Sequence, residues 1–153
     1  MINATTIAIV SDTHGMLPHF VVKKLQEKSI AHIIHAGDIC GPKVISELRR
    51  IAPVTCVRGN MDAPTAGNTS ELVEVNGFLL YVLHNLYDID IDPRSAGVHV
   101  VIHGHLHRPS IEWKNEILYL NPGSCSYPRG HQPPSFALIE THDKSLQPEI
   151  IYQ

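Results

Sequence analysis

A chain of 153 residues is the length of one domain, and a domain near 150 residues buries about 68 to 70% of the surface its unfolded form exposes, enough for a full core without staples. Hydrophobic content of 43% and charged content of 18% exclude a disordered chain, and no apolar run approaches the ~20 residues of a membrane-spanning helix. A formal charge of −3, with 12 lysines and arginines scattered along the chain, excludes a basic stripe for a nucleic-acid backbone.

Residues 6–10 form an apolar, branched run that ends at Ser11-Asp12, and Leu17, Phe20, Val21 and Leu25 then recur at helical spacing. The unit repeats. Residues 32–36 read as a strand closed by Gly37-Asp38, and Pro42 opens a helix with Val44, Ile45, Leu48 and Ile51 on one face. A third strand, 54–57, stops at Arg58-Gly59-Asn60. Strands alternating with helices predict parallel βαβ units with right-handed crossovers. After them, 71–75 and 78–83 flank Asn76-Gly77, a strong hairpin signal, and should pair antiparallel. Residues 98–103 read as another strand, 111–114 and 117–120 as a second hairpin around Asn115, and 135–140 with 148–152 as the closing strands. No repeat or linker divides the chain, so residues 1–153 are expected to form a single domain of two packed sheets with helices outside.

Eleven histidines are many for this length, and their positions carry the information. In open α/β sheets ligands gather beyond the carboxyl ends of the strands. Those ends carry Asp12-Thr13-His14-Gly15, Gly37-Asp38, Gly59-Asn60-Met61-Asp62, His84, and Gly104-His105-Leu106-His107. Carboxylate and amide oxygens mixed with imidazole nitrogens suit Mn²⁺, Fe²⁺, Zn²⁺ or Ni²⁺ better than Ca²⁺ or Mg²⁺. Seven such groups exceed one tetrahedral ion, whereas two ions sharing a carboxylate would use them all. Paired ions ~3.5 to 4 Å apart can activate water and orient a phosphate.

Taken in order, Asp12-x-His14, Gly37-Asp38, Gly59-Asn60-x-Asp62, His84 and Gly104-His105-x-His107 resemble the calcineurin-like metallophosphoesterase superfamily. The form Asp12-Thr13-His14-Gly15, the short length and Asn121-Pro122-Gly123-Ser124 are similar to its small bacterial and archaeal phosphodiesterase branch. The resemblance implies a four-layer α/β/β/α sandwich of two packed mixed β-sheets flanked by helices. It implies one ion on Asp12, His14 and His107, a second on Asn60, His84 and His105, and Asp38 between them. The cofactors so implied are two divalent transition metal ions, Mn²⁺ first, with Ni²⁺, Zn²⁺ or Fe²⁺ as alternatives. Hydroxide held by the ions would attack phosphorus, which gives Asp38, Asn60 and His84 the catalytic roles and requires no protein nucleophile. Asp62 is expected to orient Asn60 or a neighbouring loop.

Two positions depart from that pattern. Many phosphatases of the superfamily carry histidine after the metal-binding Asn, where it can protonate the leaving oxygen; Met61 stands there and cannot. Such general-acid help is typically worth ~10² to 10⁴ in rate, so diesters or activated esters are favoured over alkyl monoesters. Asn85 follows His84 where the family usually has glycine, which predicts a rearranged His84 loop.

Other groups receive plainer readings. His103 is expected to be a hydrogen-bonded core ring inside its strand, and His19, His32, His35, His99, His131 and His142 to be solvated or core. Asp88, Asp90 and Asp92 read as a solvated loop leading to a helix start at Asp92-Pro93. Arg58 suits a substrate phosphate or a packing role equally. Cys40, beside Asp38, is a thiol with a perturbed environment, and Cys40, Cys56 and Cys125 are odd in number and far apart, hence reduced. The start of the chain lacks the basic-then-apolar pattern of a signal peptide, so the cytoplasm is expected. The expected partner is a small phosphodiester or phosphoester, with no membrane and no extended nucleic-acid surface; a homo-oligomer stays open. Competing functions are a non-catalytic scaffold of the same fold, as in one membrane-trafficking subunit, and a nucleotide-specific phosphohydrolase.

Overall fold

The computed structural model describes residues 4–153. In chain order it comprises β1 (Ala4–Val10), α1 (His19–Gln26), β2 (Ile30–His35), α2 (Pro42–Arg49), β3 (Val54–Cys56), β4 (Ser70–Val75), β5 (Phe78–Leu83), β6 (Val100–Ile102), β7 (Pro109–Lys114), β8 (Ile117–Pro122), β9 (Ser135–His142) and β10 (Ser145–Tyr152). Short 3₁₀ turns lie at Pro64–Ala66 and Leu86–Asp88. The strands make two five-stranded mixed sheets, ordered β10-β9-β1-β2-β3 and β4-β5-β6-β8-β7.

Each sheet has a parallel centre and antiparallel edges: β1, β2 and β3 run parallel, as do β5, β6 and β8. Central parallel strands are covered on both faces, which explains the unbroken apolar run Ile7-Ala8-Ile9-Val10, all fully buried. Alternation then assigns the faces. Ile7 and Ile9 join Ile34, Leu80, Val82, Ile102, Leu118, Leu120 and Ile139 between the sheets. Ala8, Val10, Ile33 and Phe136 face outward, onto Val21 and Leu25 of α1 and Val44 and Leu48 of α2.

Both α-helices therefore cover the first sheet. The second sheet's outer face, Tyr81, Leu83, Val101 and Ile117, is capped by Leu86, Ile89 and Ile91 of the segment after β5. The two mixed sheets flanked by helices stand as expected, with both α-helices of the described residues on the first sheet and a 3₁₀ turn and loop as the fourth layer. Asp92-Pro93 does not start a helix either. The Asp92 carboxylate accepts from Arg94 N–H and Ser95 O–H, and its carbonyl accepts from Ala96 N–H, which closes a turn. Val98 donates its N–H to Pro93 of that turn, so β6 begins at Val100 rather than 98.

Both hairpin readings hold. Asn76 and Gly77 have φ of 50° and 82°, and Asn115 and Glu116 have 50° and 67°. Left-handed backbone at both central residues matches the twist of the flanking strands.

Two histidines are buried as neutral rings. His35, at the end of β2, is fully buried, and desolvation brings its pKa down to about 3. His103 lies just beyond β6 rather than inside it, and burial lowers its pKa to about 4. The expected hydrogen bonding is partial: the Gly104 backbone bonds the ring and opposes the shift, while His103 Nδ1 is buried without a partner. Above pH 6.5 both rings are neutral whether the chain is folded or not. As pH falls below that value the unfolded chain takes up protons that the folded rings refuse, so stability drops by about 1.4 kcal/mol per pH unit for each ring until pH approaches 3 to 4. Urea unfolding at pH 7, 6 and 5 should show this slope, and His103→Leu should roughly halve it. For packing, Phe136→Ala should cost about 3 to 5 kcal/mol by the same measurement, because the ring is fully buried between sheet and α1.

Candidate metal centre

Backbone geometry at the strand ends comes first. Beyond β1 and β2 the chains stay in register: Asp12 N–H donates to the Gly37 carbonyl at 2.9 Å, His14 to Asp38 at 3.0 Å, and Gly15 to Ile39 at 2.8 Å. Along these loops Asp12, His14, Asp38, His105 and His107 all adopt left-handed φ, between 46° and 73°. Asp and His visit that region more readily than most residues, yet it costs on the order of 1 kcal/mol at each position. Such a turn reverses the side chain against the strand's direction and aims it into the rim. Two neighbouring positions must lack a side chain. A Cβ at Gly59 would collide with the Asp38 carboxylate and backbone, and one at Gly104 with Ser11 Oγ and the Asp12 carboxylate.

The loops bring together one ligand atom each from Asp12, His14, Asp38 and His107, all within 4.8 Å of one another. Asp12 Oδ1 is 3.3 Å from His107 Nε2 and 3.7 Å from His84 Nε2. His14 Nε2 is 3.3 Å from His107 Nε2 and 3.8 Å from Asp38 Oδ2. On the other side of Asp38, the same Oδ2 lies 3.4 Å from His84 Nε2. Asn60 Oδ1 is 3.1 Å from both His84 Nε2 and His105 Nδ1. All seven residues nominated from the sequence thus meet, in two sets with one Asp38 oxygen between them.

Carbonyl partners orient two of the rings. His107 Nδ1 donates to the Tyr127 carbonyl at 2.6 Å and His84 Nδ1 to the Ala36 carbonyl at 2.7 Å. A carbonyl only accepts, so the proton of each neutral ring sits on Nδ1 and the Nε2 lone pair faces the cluster. The T-shaped contact of Tyr127 with His14, ring centres 5.6 Å apart, steadies a third.

This arrangement suits a cation. Asp12 Oδ1 is buried and has no hydrogen-bond partner, though it faces imidazole nitrogens. Burial raises the Asp12 pKa despite the attraction of His84 and a bond from Ser11. Burial acts the same way on Asp38, but there His84, which donates from Nε2 when its ring is protonated, and the bond from Met61 N–H outweigh it and hold the carboxyl below its usual range. His84 follows the opposite logic: desolvation disfavours its charge, and Asp38, Asp12 and the Ala36 carbonyl together raise its pKa. Two carboxylates crowded by acceptor nitrogens attract positive charge, and oxygen with imidazole donors are the shell of a borderline divalent ion.

A second ring of contacts holds these groups. Asp12 Oδ2 accepts from Ser11 Oγ at 2.8 Å and His105 N–H at 3.1 Å. Asp38 Oδ1 accepts from Met61 N–H at 2.8 Å. Asp62 does not touch Asn60; its carboxylate gathers the N–H groups of Ile39, Cys40 and Gly59 and so clamps the second loop to the third. Ser124 Oγ donates to the Asp12 carbonyl, and Asn121 Nδ2 to that of Gly104, so the Asn121–Ser124 turn braces both loops through its side chains.

The sequence reading left His35 unassigned. Gly37 N–H donates to its Nδ1, which puts the ring proton on Nε2, where it donates to Thr13 Oγ1; Thr13 in turn donates to the Ile39 carbonyl. Residue type alone does not separate this ring from His32, three residues before it, because the difference lies in burial. Asn85 does not rearrange the His84 loop. Its φ is −111°, a value any residue adopts, and its Oδ1 accepts from Tyr87 N–H. Burial and the Asp62 charge raise the Cys40 thiol pKa, so it is not an activated thiolate. Arg58 donates to the Pro64 carbonyl at 2.8 Å.

Known proteins are similar to this chain in sequence and in fold. A probable metallophosphoesterase of Methanothermobacter thermautotrophicus is 32% identical over 95% of this chain and 91% of its own length. Phosphodiesterase YfcE of Escherichia coli K12 is 29% identical over 88% and 86%. A crystal structure of a predicted phosphoesterase from Streptococcus pneumoniae superposes with a TM-score of 0.80 at 25% identity, covering 98% of this chain and 90% of that one. Vps29 of Entamoeba histolytica, complexed with Zn²⁺, shares the fold at a TM-score of 0.77 and 21% identity, covering 97% and 99%. Residues 6–144, which contain every loop described above, match the calcineurin-like phosphoesterase superfamily domain, and the chain belongs to that superfamily.

Proposed function

We propose that the protein is a phosphodiesterase that works with two divalent transition ions. One ion is assigned to Asp12, His14 and His107, the other to Asn60, His84 and His105, with Asp38 shared. The observation that carries this reading is the Asp38 Oδ2 atom, 3.8 Å from His14 Nε2 on one side and 3.4 Å from His84 Nε2 on the other. Mn²⁺ is the first choice for the mixed oxygen and nitrogen shell, with Ni²⁺, Zn²⁺ or Fe²⁺ as alternatives. Such a pair supplies a water acidic enough to ionise near neutral pH and positive charge for a phosphoryl group.

The chain's own residues do the rest. Asp38 sets the spacing of the two sets, and its second oxygen is held by Met61 N–H. Asn60 Oδ1 lies 3.1 Å from His84 Nε2, which is itself 3.4 Å from Asp38 Oδ2, and the pair is placed to position a phosphoryl oxygen. The Ala36 carbonyl keeps the His84 proton on Nδ1, away from the reacting centre. Met61 is 63% exposed at the rim and offers no proton to a departing alkoxide. Diesters and esters with good leaving groups are therefore the expected substrates, in keeping with relatives from Escherichia coli and Methanocaldococcus jannaschii that are named phosphodiesterases. The scaffold reading has no such support, because a subunit that only assembles has no need for seven converging ligands. No helix among the described residues is long and apolar enough to cross a membrane, and we assign the enzyme to the cytoplasm.

Asp38→Asn should lose both metal content and hydrolysis of bis(p-nitrophenyl) phosphate, since a neutral amide joins two cations poorly. Metal analysis beside steady-state rates tests this, and full activity in the variant would refute the assignment. Met61→His should raise turnover of alkyl phosphomonoesters by about 10²-fold at unchanged metal content, the lower end of what general-acid help supplies.

A further inference from the structure

Beside the outer ligand set the surface opens into a cavity of about 260 Å³, whose inner wall is Asn60, His84 and His105. Its other walls carry Arg58, Ser70, Tyr81, Asn85, Asp88 and Asp90. A diester presents two alcohol arms, and one of them must leave the reacting phosphorus through this side. The composition of the walls says what that arm is. Tyr81 is only 4% exposed, its ring packed into the outer face of the second sheet, so it offers a hydroxyl rather than an aromatic face. That hydroxyl is fixed, donating to Asp90 Oδ1 at 3.1 Å. Apart from the two inner-wall imidazoles, His84 and His105, no flat ring lines the cavity for a nucleobase to stack on.

Charge of both signs lines the same space. Asp88 and Asp90 are exposed, and among the described residues neither pairs with a cation, Arg58 included. Arg58 instead spends one N–H on the Pro64 carbonyl. Carboxylates can only accept hydrogen bonds, and a guanidinium can only donate them. An alcohol does both. A cationic arm would satisfy Asp88 and Asp90 but leave Arg58 facing a like charge, and a purely alkyl arm would strip water from polar groups and return no bonds. Position 85 adds to the wall: the extended backbone there needs no glycine, and the amide of Asn85 stands where the family's usual glycine would contribute nothing.

We infer that this cavity is a binding site for a hydroxyl-rich ester arm, a polyol or a sugar, next to the phosphoryl centre. The inference rests on the phosphodiesterase reading, and it names the class of substrate. The arm's hydroxyls donate to Asp88 and Asp90 and accept from Arg58 and Asn85. The phosphate lies against the metal ligands on the inner wall.

The test uses the Mn²⁺-loaded full chain and measures competitive inhibition of bis(p-nitrophenyl) phosphate hydrolysis, which is indifferent to which arm leaves. The probes are glycerol 3-phosphate, ribose 5-phosphate, ethyl phosphate, phosphocholine and thymidine 5′-monophosphate. The expected result is an inhibition constant for glycerol 3-phosphate or ribose 5-phosphate about tenfold or more below that of ethyl phosphate, with phosphocholine and the nucleotide no better than ethyl phosphate. Asp90→Ala and Asn85→Gly should each bring that ratio towards one. Equal constants for the hydroxylated and ethyl probes, tightest binding by phosphocholine or the nucleotide, or an unchanged ratio in both variants would overturn the assignment. If the diester is not hydrolysed at all, the phosphodiesterase reading falls, and the same ratio read by isothermal titration decides the cavity separately.

Discussion

The centre exists because five of its seven side chains sit on left-handed backbone immediately after parallel strands. A strand that simply ran on would carry Asp12 or His105 past the rim. Reversal within one residue brings them back over it. Each such residue is held against its preference, and the combined cost is comparable to a sizeable fraction of the 5 to 15 kcal/mol by which domains are stable. The surroundings that enforce it are specific: main-chain bonds from the first loop to the second, the Asp62 clamp from the second to the third, and the Ser124 and Asn121 bonds from the last turn. The rigid sandwich beneath supplies the fixed points to which these bonds are tied.

Electrostatics makes the same demand from another direction. Asp12 and Asp38 are both buried, and each is approached by imidazole nitrogens whose protons are engaged elsewhere by carbonyl groups. Burial pushes both carboxyls towards neutrality, and only at Asp38 do the Met61 N–H and the neighbouring His84 and His14 outweigh it. Polar groups arranged this closely are unfavourable by themselves and favourable around positive charge. The same feature that would weaken the fold thus defines its chemistry.

Much of this was legible in the order of residues. Asn76-Gly77 and Asn115 marked turns that the backbone adopts with φ positive at both central positions, because few residues accept that geometry. The convergence of the seven candidate residues was legible because each follows an apolar run, and parallel strands put such ends together. What escaped lay in the third dimension. Whether a histidine is fully buried, like His35, or exposed, like His99, depends on which layer lies over it. The loop that replaces an outer α-helix could not be anticipated, since Leu86, Ile89 and Ile91 alone satisfy the second sheet with less regular structure than a helical pattern would signal. β6 starts two residues later than the apolar run for the same kind of reason: the turn at 92–97 takes the Val98 N–H that would have lengthened the strand.

That capping segment links two parts of the molecule. Its apolar residues seal the outer face of the second sheet, while Asn85, Asp88 and Asp90, interleaved with them, form one side of the cavity beside the ligands. Swinging this side outward would wet Leu86, Ile89 and Ile91 at once, at a cost of several kcal/mol by the usual value for exposed apolar area. The slot is consequently ready-made before any guest arrives. Discrimination among guests must come from fit to a fixed shape, with turnover independent of any gate.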